Sequence, residues 1–297
     1  MKNLRNYLTM LALAAVLILA ACGGDSDEGD NAGGDSEEKG TINIGMNNWA
    51  ENVAVSNMWK IVLEEKGYDV ELNNVEKGAL YEALSSGDID IGMEIWLPNT
   101  DKPFYEKFED EIDWRETWYE GTDLALVVPS YVEEVNSIED LNEHKEKFDS
   151  TIVGIDAGAS IMELTDQVIN DYDLDYSLSS SSEPTMISEL KNSMEDEKPI
   201  VVTLWKPHWT FSEMDLKILE DPKNIYGDSE NISYAARKGL EEDQPEVVEW
   251  FDNFMLNDDQ LGSLMAEINE AGSPEEGAET WIEDNRDLIE EWTGSSE

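Results

Sequence analysis

The chain has one cysteine, Cys22, in 297 residues, so no disulfide can close within it. Histidine is almost as scarce, present only as His144 and His208. The usual nucleophile-and-base pairs therefore have little to be built from, and no P-loop, HExxH, CxxC or GxSxG string occurs. No enzyme activity, cofactor or metal is expected; a carboxylate pair of the glycosidase kind is the one catalytic arrangement that abundant acids leave open. Basic residues are few as well, 19 Lys and Arg against 69 Asp and Glu, for a formal charge of -50. Nucleic acid and anionic membrane surfaces repel such a chain, because holding phosphates takes clustered cations. The acids are spread evenly, which suits a solvated surface at high salt, where screening shortens the reach of self-repulsion. A salt-adapted source is expected.

What is present argues for a folded protein: 40% hydrophobic residues and ten tryptophans. At the N-terminus, Lys2 and Arg5 precede the apolar stretch from Leu8 to Ala20, too short for a comfortable membrane span. The stretch ends in Leu19-Ala20-Ala21-Cys22, which resembles a bacterial lipobox. That likeness implies a signal peptide over 1–21 and a lipid on Cys22, holding the protein to the outer face of a cell membrane, expected to be of the Gram-positive kind. An ordinary signal peptide with a chance cysteine is the plainer alternative. Residues 22–40 are rich in Gly, Ser, Asp and Glu and read as a flexible tether.

From Thr41 onward strands alternate with helices. Strands are expected at Thr41–Met46, Asp69–Leu72, Asp88–Met93, Leu124–Pro129, Thr151–Asp156, Pro199–Leu204 and Ile232–Ala236. Val55, Met58, Trp59, Val62 and Leu63 share one helical face between Asn52 and Lys66, and Ala79–Leu84 reads as a second helix. Ser137 and Ser160 each begin a capping-box pattern, and Val247–Leu256, Leu261–Ile268 and Trp281–Trp292 are expected to be helical. Such alternation implies an α/β fold around a mostly parallel sheet. Two series, divided near residue 130, suggest one lobe from 41–128 plus 233–297 and a second from 129–232, with a ligand cleft between them.

Three tryptophans share one context. Trp49 follows TINIGM, Trp96 follows DIDIGM, and Trp205 follows PIVVTL. Ligands of open α/β sheets bind beyond the carboxyl ends of the strands, so all three indoles are expected on one rim. An indole face attracts a cation, and several faces hold a trimethylammonium group that can donate no hydrogen bond. The plainer reading is rim packing, as for Trp59, Trp250 and Trp281 in the core.

Met46-Asn47-Asn48-Trp49, Ile95-Trp96-Leu97-Pro98-Asn99-Thr100, Gly154-Ile155-Asp156-Ala157-Gly158 and Thr203-Leu204-Trp205-Lys206-Pro207-His208-Trp209 resemble the glycine-betaine-binding lipoproteins of bacterial ABC importers, across Thr41 to Trp292. The order resembles that of the unpermuted branch. The resemblance implies a two-lobed, type II periplasmic-binding-protein-like fold and a monomer that passes its ligand to a membrane permease for osmoprotectant uptake. It implies an ammonium cage of Trp49, Trp96 and Trp205, and a carboxylate held on the N–H groups of Ser160 and Ile161, where a helix N-terminus suits an anion. Asp101 stands where relatives carry a histidine for that carboxylate. Glu51 resembles the acid that takes a hydroxyl in the choline-binding branch, and is alternatively an acid favoured by a helix dipole. Glycine betaine or a related betaine is expected first, then choline or carnitine. A surface lipoprotein with no part in transport is the distant alternative. His208 is expected to make a structural hydrogen bond, His144 to lie in a solvated run, and Tyr119 either to wall the pocket or to fill the core.

Overall fold

The protein is described by a computed structural model covering residues 39–294; the expected signal segment 1–21, the expected lipidation site Cys22 and the expected tether up to 38 lie outside the described residues. Among the described residues nine strands form one sheet: β1 (Thr41–Met46), β2 (Asp69–Asn74), β3 (Ile91–Leu97), β4 (Ile112–Pro129), β5 (Thr151–Val153), β6 (Ser177–Ser179), β7 (Val202–Lys206), β8 (Leu216–Ile218) and β9 (Glu230–Arg237). Their order is β2-β1-β3-β9-β4-β7-β5-β6, with β8 pairing to β4 off this path. The long strand β4 joins the two halves. Its residues up to Thr122 pair with β9, those from Asp123 to Val127 pair with β7, and Val127 to Pro129 pair with β8.

The alternation in TINIGM places Ile42 and Ile44 in the core, as a half-buried strand requires. The periodic face between Asn52 and Lys66 forms the helix Ala50–Glu65, and Val55, Met58, Trp59, Val62 and Leu63 are all buried. Trp59 stacks on Phe251 with ring centroids 4.1 Å apart and meets Phe254 edge-on at 5.4 Å. Trp250 and Trp281 are buried too, so these three tryptophans pack the core.

The helix Lys77–Ser86 lies unusually close to the sheet because Gly45 and Gly92, opposite each other on β1 and β3, carry no side chain beneath it. A Cβ on Gly45 would meet Leu80 Cδ1 at 2.3 Å and Ile89 Cδ1 at 2.9 Å. Gly45→Ala is therefore expected to cost about 1–3 kcal/mol through overpacking. Urea denaturation reads this, and an unchanged midpoint would show that the helix shifts freely.

Several elements differ from the sequence expectation. Four of the eight strand pairings are antiparallel, so the sheet is mixed where a mostly parallel one was expected; β9 threads between β3 and β4 and opposes both. The strand expected at Asp88–Met93 runs instead from Ile91 to Leu97, since the buried Glu94 lengthens an apolar run rather than ending it. Similarly, the strand at Leu124–Pro129 is the end of an 18-residue strand. The helix expected over Trp281–Trp292 breaks at Asn285, whose side-chain amide donates to the Trp281 carbonyl at 2.8 Å and competes with the helical ladder. The capping box at Ser137 is present, with its side chain accepting from the Glu139 N–H. No helix among the described residues is long and apolar enough to cross a membrane.

Candidate functional site

Trp49, Trp96 and Trp205 all line one cavity. Trp49 caps the helix Ala50–Glu65 just past β1. Its loop is tied down by the Asn47 N–H, which donates to Asn52 Oδ1 at 2.7 Å, and by Asn47 Nδ2, which donates to the Val75 carbonyl at 2.7 Å. Trp96 and Trp205 are strand residues, not residues beyond the strands: they sit at the carboxyl ends of β3 and β7, opposite Ile232 and Leu124 respectively. Pairing with β9 and with β4, respectively, fixes their backbones. The Trp49 and Trp205 rings stand 6.4 Å apart at 63°. Beyond Trp96, the N–H groups of Asn99 and Thr100 donate to buried Glu230 Oε2 at 2.8 and 3.1 Å, which pins the loop to β9.

Each of the three indole N–H groups donates to a carboxylate. Trp49 Nε1 reaches Asp156 Oδ2 at 3.4 Å, Trp205 Nε1 reaches Glu51 Oε2 at 2.9 Å, and Trp96 Nε1 bonds Glu94 Oε1. A negative acceptor on the N–H polarises the ring, deepening the negative face that a cation sees. Glu51 and Glu94 are fully buried and line the same cavity. Burial pushes Glu51 well above the ordinary carboxylate range, and the charges of Glu94 and Glu183 push the same way. Burial likewise raises Glu94 to about 7, against the opposing pull of Lys77 and the Trp96 N–H.

At the other side of the cavity, Asp101 is buried and its charge is answered. Oδ2 lies 2.8 Å from Lys77 Nζ and accepts from the Trp96 N–H at 2.8 Å, while Oδ1 accepts from Ser160 Oγ at 3.1 Å. Lys77 is brought in by the close helix over Gly45; it also donates to the Glu94 carbonyl and lies 5.4 Å from the Trp49 ring centroid. The capping box expected at Ser160 does not form. Ala159 is the N-cap of the helix Ser160–Asp171, and the Ser160 hydroxyl goes to Asp101, a stronger acceptor contact than a neutral backbone bond would be. The cavity wall therefore includes Ser160 and Ile161 at the uncapped first turn of a helix, where N–H groups have no intrahelical partner.

Among the remaining candidates, His208 is buried away from the cavity lining. Its Nδ1 accepts from the Thr210 N–H at 3.2 Å, which leaves Nε2 to donate to Glu183 Oε1 at 3.2 Å. Glu183 Oε2 in turn accepts from the Ala50 N–H at 2.8 Å, so this bridge ties the loop after β7 to the helix behind Trp49. The His208 ring also sits edge-on to Trp205 at 5.1 Å. His144 is partly exposed. Tyr119 is buried and donates to Asp258 Oδ1 at 2.9 Å, outside the cavity lining. Sequence reasoning missed Glu94 and Lys77. Glu94 had a signal, a lone acid inside the apolar run Ile91–Leu97; Lys77 had none, since it opens a helix that looks solvent-facing. Among the described residues no cluster of His, Cys, Asp and Glu suits a metal ion.

Indole faces on one wall and an uncapped helix N-terminus on another can hold a small molecule with a cationic head. Comparison with known proteins agrees with that chemistry. Residues 40–284 match the family described as the substrate binding domain of ABC-type glycine betaine transport systems. Over 155 residues the chain is 46% identical to the glycine betaine/carnitine transport binding protein GbuC of Listeria monocytogenes, a stretch covering 51% of this chain and 52% of that protein. The chain thus aligns with about half the length of that relative. Among solved structures it is similar to lactococcal OpuAC in its closed, glycine-betaine-bound conformation, with a TM-score of 0.80 and 34% identity over 85% of this chain and 99% of that one. It is also similar to the glycine/betaine/L-proline-binding protein ProX of Borrelia burgdorferi, with a TM-score of 0.81 and 38% identity over 85% and 96% of the two chains. The α/β fold is that of the type II periplasmic binding proteins.

Proposed function

This chain belongs to the family of substrate-binding domains of ABC-type glycine betaine transport systems, and from that premise we propose that it captures glycine betaine, or a related betaine, outside the cytoplasm and delivers it to a membrane permease. The observation that carries the reading is the convergence of Trp49, Trp96 and Trp205 with Ser160 and Ile161 on one cavity. The ammonium head packs on the indole faces, each worth roughly 0.5–2 kcal/mol once desolvated. The carboxylate lies on the N–H groups of Ser160 and Ile161, with the helix dipole behind them. Asp101 is compatible with an anionic ligand end because Lys77 pairs with it at 2.8 Å. Capture is by closure of two lobes, 41–128 with 233–297 and 129–232, followed by docking on the permease without any catalytic step. A lipid on Cys22 holds the protein at the extracellular membrane face.

Choline or carnitine is a second reading, favoured by Glu51, an acid in the cavity wall within reach of a ligand hydroxyl. Isothermal titration with glycine betaine, proline betaine, carnitine and choline tests both. Binding of a betaine in preference to choline supports the first reading, and the reverse order supports the second. Absence of heat and of tryptophan fluorescence change with all four removes the transport reading.

A further inference from the structure

Two buried acids stand behind the aromatic wall, and the ligand reading alone does not account for them both. Glu51 starts the helix after Trp49, and Glu94 lies two residues before Trp96 on β3. Each spends one oxygen on a cage indole, Glu51 on Trp205 and Glu94 on Trp96. The second oxygen of Glu94 is buried and has no hydrogen-bond partner among the described residues. A bare carboxylate oxygen in that position is costly, and a proton held between the two acids relieves it.

We propose that Glu51 and Glu94 act as one proton-sharing pair behind the indoles of Trp96 and Trp205, and that a permanently charged ammonium head entering the cavity drives a proton off the pair into solvent. This rests on the quaternary-ammonium reading of the cavity. The balance is simple: one carboxyl O–H bond breaks, its electrons stay on the carboxylate, and the proton goes to buffer. The carboxylate left behind strengthens the indole faces against the ligand's fixed positive charge.

The surrounding charges make this pair decisive. On the helix over Gly45, Lys77 faces the pair but is matched by Asp101 at 2.8 Å. Glu183, on the helix Glu183–Glu195, is engaged by the Ala50 N–H and by His208. The net charge that the cavity presents therefore turns on how many protons Glu51 and Glu94 keep. Burial, with the charges of Glu94 and Glu183, holds Glu51 well above the usual range, and burial brings Glu94 to about 7 against the pull of Lys77 and of its hydrogen bonds with Trp96 and Glu51. The sign follows: below that pH the pair is neutral and must lose a proton for the cation to gain from it, whereas above it the charge is already in place. Affinity then rises with pH through neutrality and levels off.

Two measurements test the pair. In the ligand-free protein, the indole 15N resonances of Trp96 and Trp205 are followed from pH 5.5 to 8.5. Calorimetry with glycine betaine and with choline is run over the same range in buffers of different ionisation enthalpy. The expected result is a shared indole titration near neutrality, net proton release on binding, and affinity about five- to tenfold higher at pH 8 than at pH 6. In Glu94→Gln the indole titration, the proton release and the pH slope should vanish, whatever affinity remains; a purely structural role for Glu94 would lower affinity by the same factor at every pH and leave the wild-type slope in place. Indoles that do not titrate, together with flat affinity and no proton release, overturn the pair while leaving the ligand reading in place. Indoles that titrate in a protein binding neither compound sustain the shared proton and overturn its coupling to an ammonium ligand.

Discussion

Trp96→Ala and Trp205→Ala are each expected to weaken binding of glycine betaine at least tenfold. Each removes one desolvated cation–π contact of up to about 2 kcal/mol, which corresponds to roughly 30-fold in Kd. Each also leaves a buried acid, Glu94 or Glu51, without its indole donor. Because both rings are buried, truncation opens a cavity and lowers folding stability as well, so Trp96→Leu is the informative companion. Leucine keeps much of the apolar volume and lacks the quadrupole. Calorimetric titration should then show a comparable loss of affinity in a protein whose urea midpoint is better preserved. Unchanged affinity in both alanine variants would refute the aromatic cage.

Asp101→Asn should have the largest effect on the fold itself, a loss of about 3–5 kcal/mol in folding stability, because it leaves Lys77 as a buried cation with no counter-charge. The amide oxygen can still accept from the Trp96 N–H while its NH2 donates to the Ser160 hydroxyl, so the loss isolates the ion pair from its neutral hydrogen bonds. The double variant Lys77→Met with Asp101→Asn should recover most of that stability in urea or guanidinium denaturation, since removing both charges removes the desolvation cost together with the attraction. If the double variant is as unstable as the single one, the pair is not what Asp101 is for. Asp101→His, suggested by the histidine of relatives, breaks the same pair and is expected to destabilise the protein rather than improve its grip on a carboxylate.

Much of the fold was legible in the chain because its signals are local. Alternation in TINIGM and the 3.6-residue spacing of Val55, Met58, Trp59, Val62 and Leu63 report burial directly, and both elements formed where expected. The antiparallel threading of β9 between β3 and β4 was not legible, since nothing within Glu230–Arg237 encodes its neighbours. The missing cap at Ser160 was decided by an acid 59 residues away. A helix N-terminal pattern states what a serine can do locally, and a buried carboxylate offered it a better partner.

The same division runs through the site. Sequence by itself put Trp49, Trp96 and Trp205 on one rim, because strand ends in an α/β sheet share one; the structure brings all three to one cavity, Trp96 and Trp205 from within the last residues of their strands. The family resemblance named Ser160, Ile161, Glu51 and Asp101 for the other end of the ligand, and all four line that cavity. Only the tertiary structure decided what charges that wall carries. Lys77 reaches the cavity because Gly45 and Gly92 let its helix settle onto the sheet, and there it answers Asp101. Glu94 meets Glu51 across a sheet and a helix, and burial then governs the protons of both. Side-chain type is written in the chain, but the dielectric and the neighbours that set an acid's charge exist only after folding.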